Sequence, residues 1–239
     1  DTISYTDVKF SPDNLWIYFI VNRAPARTLY RISIHGGSAQ KISENVLNLF
    51  AISPDGSQIV YDKLNTDNRQ HSLFIAEQDA ESGTIKSAQT LFVLDIPNYF
   101  PGGFSFSPDG QKIIYPRTVI EANKETINLF VYDLTNGTNE RLGTSDFNRI
   151  YQTAWRTNGE EIIISASKDE SAPHQLWTID YPSGAVSRLT NDFSDYIGVS
   201  LTKDSSQIVT TKIDLNSSIW TSEIPQSERN FASGIKQIT

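Results

Sequence analysis

Short apolar stretches alternate with polar ones along the whole chain, and residues 103–116, GFSFSPDGQKIIYP, give the clearest example. Phe104 and Phe106 alternate with small or polar residues before a tight turn, and a second apolar run follows it. Alternation with a period of two predicts half-buried strands. Asp109 can hydrogen-bond back into the turn, and Gly110 can take the positive φ that closes it. The segment therefore predicts a β-hairpin.

The same hairpin recurs along the chain. Each copy has an apolar strand before the turn (strand a) and a β-rich strand after it (strand b). A third segment (strand c) begins with an aliphatic–aromatic pair, as in LYRISI from Leu29 and LFVYDL from Leu129, and a more polar fourth segment (strand d) ends the unit. The five turns are SPDN at 11–14, SPDG at 53–56, SPDG at 107–110, RTNG at 156–159 and TKDS at 202–205.

The spacings between successive turns are 42, 54, 49 and 46 residues. A period of this length with several strands per unit is the signature of a propeller, in which no blade buries both faces alone. We therefore predict an all-β fold, a β-propeller of four-stranded antiparallel blades that occupies 1–239 as one region. In the fifth turn Ser205 replaces glycine, which predicts a different turn or one held by its surroundings. Five blades are visible, at about 1–44, 45–96, 97–144, 145–191 and 192–239.

Composition excludes several classes of function. Lys and Arg total 20 against 28 Asp and Glu, a formal charge of −8, which disfavours a surface for nucleic acid or anionic membranes. The absence of cysteine excludes disulfides, thiolate metal sites and a cysteine nucleophile. No apolar run approaches the roughly 18 residues that a membrane-spanning helix needs, so we expect no membrane insertion within this chain.

No motif in the chain predicts catalysis or a cofactor. A G-x-S-x-G nucleophile motif and a phosphate-binding loop are both missing from the sequence. His71 and His174 occupy equivalent positions in units two and four, two residues before the strand-c aliphatic, while His35 lies in a Gly-rich turn. Because no third ligand accompanies them, we expect no metal site.

The loops of the two propeller faces differ. The a–b and c–d turns are short and uniform, whereas the b–c and d–a connections on the other face are long and variable, for example the b–c loop predicted at 116–128. This difference favours that face for recognition. The d–a connections carry aromatics and acids that a protein or peptide partner could contact. Packing between blades is the alternative role of each aromatic. The candidate residues are Tyr99, Phe100, Asp146, Phe147, Tyr151, Asp192, Phe193 and Tyr196.

The S-P-D-G turn after an F-x-F or A-x-S strand, followed by an aliphatic–aromatic strand and a short polar one, resembles the WD-repeat-like propeller of the TolB type in all five units. Such blades occur in the periplasmic TolB protein, in the amino-terminal propellers of prolyl-oligopeptidase-like peptidases, and in sensor regions of bacterial kinases and winged-helix regulators. Propellers of this type often close with six or more blades. Five visible blades fit a complete ring or a fragment of a larger one, and we favour the fragment.

The resemblance implies a non-catalytic recognition or sensor module of a larger bacterial protein, in the periplasm or elsewhere outside the cytoplasm. A protein or peptide is the expected partner, and the central channel could hold a small ligand. Two alternatives stay open at this point: a gating propeller of a serine peptidase, and a TolB-like periplasmic scaffold in a protein complex.

Overall fold

The computed structural model describes residues 3–24, 26–65, 70–79, 82–214, 220–221 and 236–237. These residues form strands, turns and irregular segments and contain no helix, hence none that is long and apolar enough to cross a membrane. The all-β prediction is confirmed for this part of the chain.

Four antiparallel four-stranded sheets, the first to fourth blades, follow one another along the chain, each with its strands in sequence order. The first contains β1 (Ser4–Phe10), β2 (Trp16–Arg23), β3 (Ala26–Ser33) and β4 (Gln40–Glu44). The second contains β5 (Val46–Ile52), β6 (Gln58–Asn65), β7 (Gln70–Gln78) and β8 (Ile85–Asp95). The third contains β9 (Ser105–Phe106), β10 (Lys112–Glu121), β11 (Lys124–Asp133) and β12 (Asn139–Arg141). The fourth contains β13 (Arg149–Trp155), β14 (Glu161–Ser167), β15 (Gln175–Asp180) and β16 (Val186–Arg188).

The remaining strands form two pairs. β17 (Asp195–Leu201) pairs with β18 (Ile208–Ile213), and β19 (Trp220–Thr221) pairs with β20 (Lys236–Gln237). The first strands of successive sheets contact each other, β1 with β5, β5 with β9, β9 with β13 and β13 with β17, which gives a propeller-like ring. The described residues thus show four complete blades, and the two pairs of the fifth unit lie in separate sheets.

The repeated turn is held together by its serine and aspartate. Ser107 Oγ donates to Asp109 Oδ1 (2.5 Å) and accepts from the Lys112 N–H (2.9 Å). Asp109 Oδ1 also accepts from the Gln111 N–H (3.0 Å), and Gly110 has φ +70°. These contacts lower the pKa of Asp109, the Ser107 hydroxyl contributing most. The predicted hydrogen bond of Asp109 back into the turn and the positive φ of Gly110 are confirmed.

The fifth turn keeps this geometry without glycine. Ser205 has φ +55° and donates its N–H to the Thr202 carbonyl at 2.8 Å, as Gly110 does to Ser107 at 2.9 Å. Its hydroxyl accepts from the Thr157 N–H of the neighbouring turn at 3.0 Å, and the residue is buried. The turn is therefore held by its surroundings, which is one of the two outcomes predicted for it.

One segment differs from its prediction. The sequence predicts a long b–c loop at 116–128. In the structure β10 and β11 instead form an uninterrupted pair of strands, from Lys112 opposite Asp133 to Glu121 opposite Lys124. Only Ala122 and Asn123, both with positive φ, form the connection. Two successive positive φ values suit the right-handed twist of a hairpin. The face of the b–c and d–a connections therefore carries a regular strand pair at this position.

The aliphatic–aromatic pair of strand c joins the second and third blades to both of their neighbours. Leu73 lies in a cluster with Ile113 and Tyr115 of the third blade, whereas Phe74 packs against the cluster of Tyr18 and Ile20 from the first. The equivalent Leu129 packs with residues of the fourth blade and Phe130 with residues of the second. Side chains of successive strand residues point to opposite faces, so one dipeptide supplies apolar surface to two interfaces.

We predict that Ser107→Ala destabilises the protein by about 1–2 kcal/mol, because Asp109 and the buried Lys112 N–H lose a partner. Urea unfolding near neutral pH measures the change. Since the pKa of Asp109 is lowered in the folded state, the stabilisation exists above its ordinary value of 3.8 and is lost as the pH falls through the lowered pKa. The exposed Ser38→Ala is the control, and an equal effect of both substitutions would contradict this role of the turn.

Candidate functional site

The b–c and d–a connections of the four complete blades lie on one face of the ring, opposite the Ser-Pro-Asp-Gly turns, because adjacent antiparallel strands alternate in direction. The d–a connections differ strongly in length. β4 and β5 are separated by Asn45 alone, whereas 96–104, 142–148 and 189–194 link the later units. The candidate residues therefore lie at three different junctions between units.

Four candidates lie near the junction of the fourth and fifth units, and we name Tyr151, Asp192, Phe193 and Tyr196 the rim cluster. Tyr196 Oη donates to Asp192 Oδ2 at 2.9 Å, which lowers the pKa of Asp192 and raises the pKa of Tyr196. The Phe193 side chain is 94% exposed and Tyr151 is 51% exposed. This junction therefore presents two large rings to solvent, and one of them, Phe193, directly follows Asp192 in the chain.

The connection that carries Phe193 is fixed by hydrogen bonds. Gln175, which is buried, donates through Nε2 to the carbonyls of Asp192 (3.2 Å) and Ser194 (2.9 Å), and its Oε1 accepts from the Asp192 N–H (3.3 Å). Ser194 Oγ donates to Asp214 Oδ1 at 2.6 Å. The exposed Phe193 ring therefore projects from a backbone with a defined conformation.

A histidine–aspartate pair lies beneath the rim cluster. His174 is 7% exposed, its Nδ1 lies 2.9 Å from Asp195 Oδ1, and its backbone N–H donates to the same oxygen at 2.6 Å. The Tyr151 ring stands perpendicular to the imidazole with centroids 5.6 Å apart. The sequence pattern indicated His174 only as a possible metal ligand and did not pair it with Asp195. The available signal was an acid in the connection that follows the same unit.

The four other candidates lie at two earlier junctions. Asp146 accepts from Asn128 Nδ2 and Arg141 Nη2, both at 2.8 Å. Phe147 is buried, its ring standing edge to face with Trp177.

The junction of the second and third blades holds the last two candidates. Tyr99 is 36% exposed and donates to Glu125 Oε1 at 3.3 Å. Phe100 is buried against Phe104 and Tyr115. Both phenylalanines thus pack between blades in this conformation, and the eight candidates do not form a single site.

The other two histidines differ from His174. His71 packs against the rings of Tyr99 and Phe100, with centroids 6.2 and 6.5 Å away, and burial lowers its pKa. His35 is exposed in its turn. Within the ranges that the structure describes, no group of three His, Asp or Glu side chains could hold a metal ion.

A central cavity of about 740 Å³ opens between the first strands of all five units. On its wall Gln152 Oε1 accepts from the Val199 N–H at 3.0 Å and so joins β13 to β17. Asp7, which precedes the lining residue Val8, joins β1 to β5 by accepting from the Phe50 N–H at 3.0 Å. The wall mixes apolar and polar groups, and the volume is that of a small-molecule site.

No protein-family model matches the chain. An uncharacterized protein of Agrobacterium fabrum is 25% identical over 118 residues, which are 45% of this chain and 38% of that protein. The alignment therefore spans well under half of that relative.

Solved structures show the fold. A protein described as TolB from Agrobacterium tumefaciens superposes with a TM-score of 0.66 at 20% identity, over 91% of this chain and 73% of that one. TolB from Acinetobacter baumannii gives 0.63 at 15% identity, over 92% and 49%. The structural neighbours are TolB-like β-propellers.

Enzymes also share this fold. An oligogalacturonate lyase from Vibrio parahaemolyticus gives a TM-score of 0.63 at 13% identity, over 89% of this chain and 60% of that one. A prolyl endopeptidase gives 0.53 at 11%, over 85% and 32%. At such identities the likeness concerns the propeller alone.

Proposed function

We propose that this chain is a non-catalytic recognition or sensor module of a larger bacterial protein, located outside the cytoplasm, that binds a protein or peptide through the rim cluster. The observation that carries the proposal is the almost fully exposed Phe193 ring on a hydrogen-bonded connection. Aromatic side chains dominate binding energy at protein interfaces, and a fixed conformation reduces the entropy lost on binding. The TolB resemblance supports the extracytoplasmic location.

Asp192 adds to this proposal. Its carboxylate accepts from Tyr196 Oη and directly precedes the exposed Phe193 in the chain, so that a partner with a basic or hydroxyl group next to an apolar one would match the cluster. The alternative role as a gating propeller of a peptidase is supported by the prolyl endopeptidase superposition, in which this chain covers 32% of the enzyme.

Peptides selected from a displayed random library against the unmodified chain test the rim cluster. We expect Phe193→Ala and Tyr151→Ala each to weaken the selected peptides by about 2 kcal/mol, roughly 30-fold, with little change in melting temperature. Phe147→Ala is the matched control, because its ring is buried and its loss should lower stability by about 3–5 kcal/mol. Equal binding of the selected peptides to the rim variants and the unmodified chain would refute this site.

We also propose that the ring takes at least one further blade between β18 and β1, so that the five units belong to a larger propeller. On β1, Tyr5, Val8 and Phe10 are 64%, 60% and 61% exposed, and on β18, Val209 is 60% exposed. Val8, Phe10 and Val209 also line the central cavity, whereas Tyr5 does not, and exposed apolar side chains on these strands are what a further blade would cover.

The face of the first blade that carries Phe19 and Tyr30 supports the same proposal. Tyr30 stacks on Phe19 with centroids 6.1 Å apart, as Phe74 stacks on Tyr61 at 5.8 Å. The Tyr61 and Phe74 pair packs against the preceding blade. Tyr5, whose ring centroid lies 5.9 Å from that of Phe19, is exposed on this side of the first blade.

Tyr5→Lys tests whether this position, which is exposed in the present chain and does not line the central cavity, becomes covered when a further blade is present. In the chain of 239 residues we expect a stability change within about 0.5 kcal/mol. In the protein expressed with the segments that flank this chain in its gene, we expect a loss of about 2 kcal/mol or more, because the new charge would be buried. Differential scanning calorimetry of both forms measures this. An equally small effect in the longer protein would argue against the further blade.

A further inference from the structure

A second cleft, of about 800 Å³, lies between the first and second blades on the face of the b–c and d–a connections. Among the described residues its lining includes Asn22, Ala26, Arg27, Lys63, Ser72 and Phe74. No Asp or Glu is part of that lining, although the chain carries eight more acidic than basic side chains. The part of the cleft formed by described residues is therefore cationic and amide-rich, in a protein that is acidic as a whole.

The cleft exists because the connection between these two blades is short. At the second junction, Tyr99 exchanges backbone and hydroxyl hydrogen bonds with Thr118, and Phe100 packs on Tyr115. At the third junction, Phe147 packs on Trp177. Between the first and second blades Asn45 alone links β4 to β5, so that no aromatic from the connection fills the space.

Lys63 supplies the charge in this cleft. Its Nζ lies 5.1 Å from the centroid of the Phe74 ring and 5.5 Å from that of Tyr61. Arg117 occupies the same register position in the third blade, 5.1 Å from Phe130. In the third blade the d–a connection 96–104 covers the strand pair through Tyr99 and Thr118, whereas Lys63 faces the open cleft.

The Lys63 ammonium forms no ion pair with any acid of the described ranges. Burial lowers the pKa of Lys63, while the more distant Glu44 raises it and is itself paired with Lys41 at 2.7 Å. Arg27, on the same wall, donates from Nη1 to the Leu47 carbonyl at 3.4 Å. A partly desolvated ammonium without a counter-ion favours an anionic ligand.

We propose that the cleft between the first and second blades binds a carboxylate-bearing ligand, with Lys63 as the counter-ion and the side chains of Asn22 and Ser72 as hydrogen-bonding groups. The apolar wall around Phe74 accepts the carbon skeleton of the ligand. The carboxylate can belong to an acidic peptide or to a sugar acid, since both present the same group. This site is separate from the rim cluster and does not depend on it.

Titration of the 239-residue chain at low ionic strength, followed by calorimetry, tests the proposal. The probes are acetyl-Glu-Glu-amide and glucuronate, with acetyl-Gln-Gln-amide and glucose as neutral counterparts. We expect at least one acidic probe to bind about tenfold or more tightly than its neutral counterpart. Binding of the peptide alone, of glucuronate alone or of both identifies the source of the carboxylate and supports the site in each case. No preference for either acid overturns the proposal.

Variants locate the binding. Lys63→Gln should weaken the acidic probe about tenfold or more, Lys63→Arg should retain it, and Ala26→Phe should block it by filling the cleft without changing any charge. Lys168→Gln is the matched control, because that exposed lysine also lies over two rings, Phe147 and Trp177, on the fourth blade. Thermal unfolding checks that each variant folds. Equal weakening by Lys63→Gln and Lys168→Gln would show diffuse attraction and would overturn the assignment.

Discussion

The packing of the strand-c dipeptide across two blade interfaces is the interaction on which the rest of this structure depends. A single four-stranded blade has two faces and can cover neither alone. In the second blade Leu73 covers the third blade and Phe74 covers the first, and Leu129 with Phe130 repeats the arrangement. The core of each blade is therefore shared with its neighbours, and we expect the blades to stabilise one another.

This arrangement leaves the connections between blades free to differ. The strands must present the dipeptide in register, whereas the d–a connections only need to bridge the gap. One consists of Asn45 alone, two bury the rings of Phe100 and Phe147, and one presents Phe193 to solvent. The two proposed sites arise from this variation. The rim cluster forms where the connection 189–194 exposes Phe193, and the carboxylate cleft forms where Asn45 alone is too short to fill the space.

The contacts within a turn can be predicted from the sequence, whereas the packing between blades cannot. The Ser-Pro-Asp-Gly turn is made by contacts within six residues, such as Ser107 with Lys112, so its residues predict its structure. The strand pair at 116–128 was missed because polar residues interrupt its β-branched ones. Asp146-Phe147 and Asp192-Phe193 are the same dipeptide, yet one ring is buried and the other exposed. That difference depends on which side chains of the facing blade lie against the ring, and the repeat pattern does not specify them.

Hydrogen exchange of Leu73→Ala, followed by mass spectrometry, tests most directly whether blades are stabilised by their neighbours. Leu73 is fully buried with Ile113 and Tyr115 of the third blade, and its truncation should cost about 2–5 kcal/mol. The account predicts faster exchange in β10 and β11 as well as in β6 and β7, with the fourth blade less affected. Faster exchange confined to the second blade would contradict it.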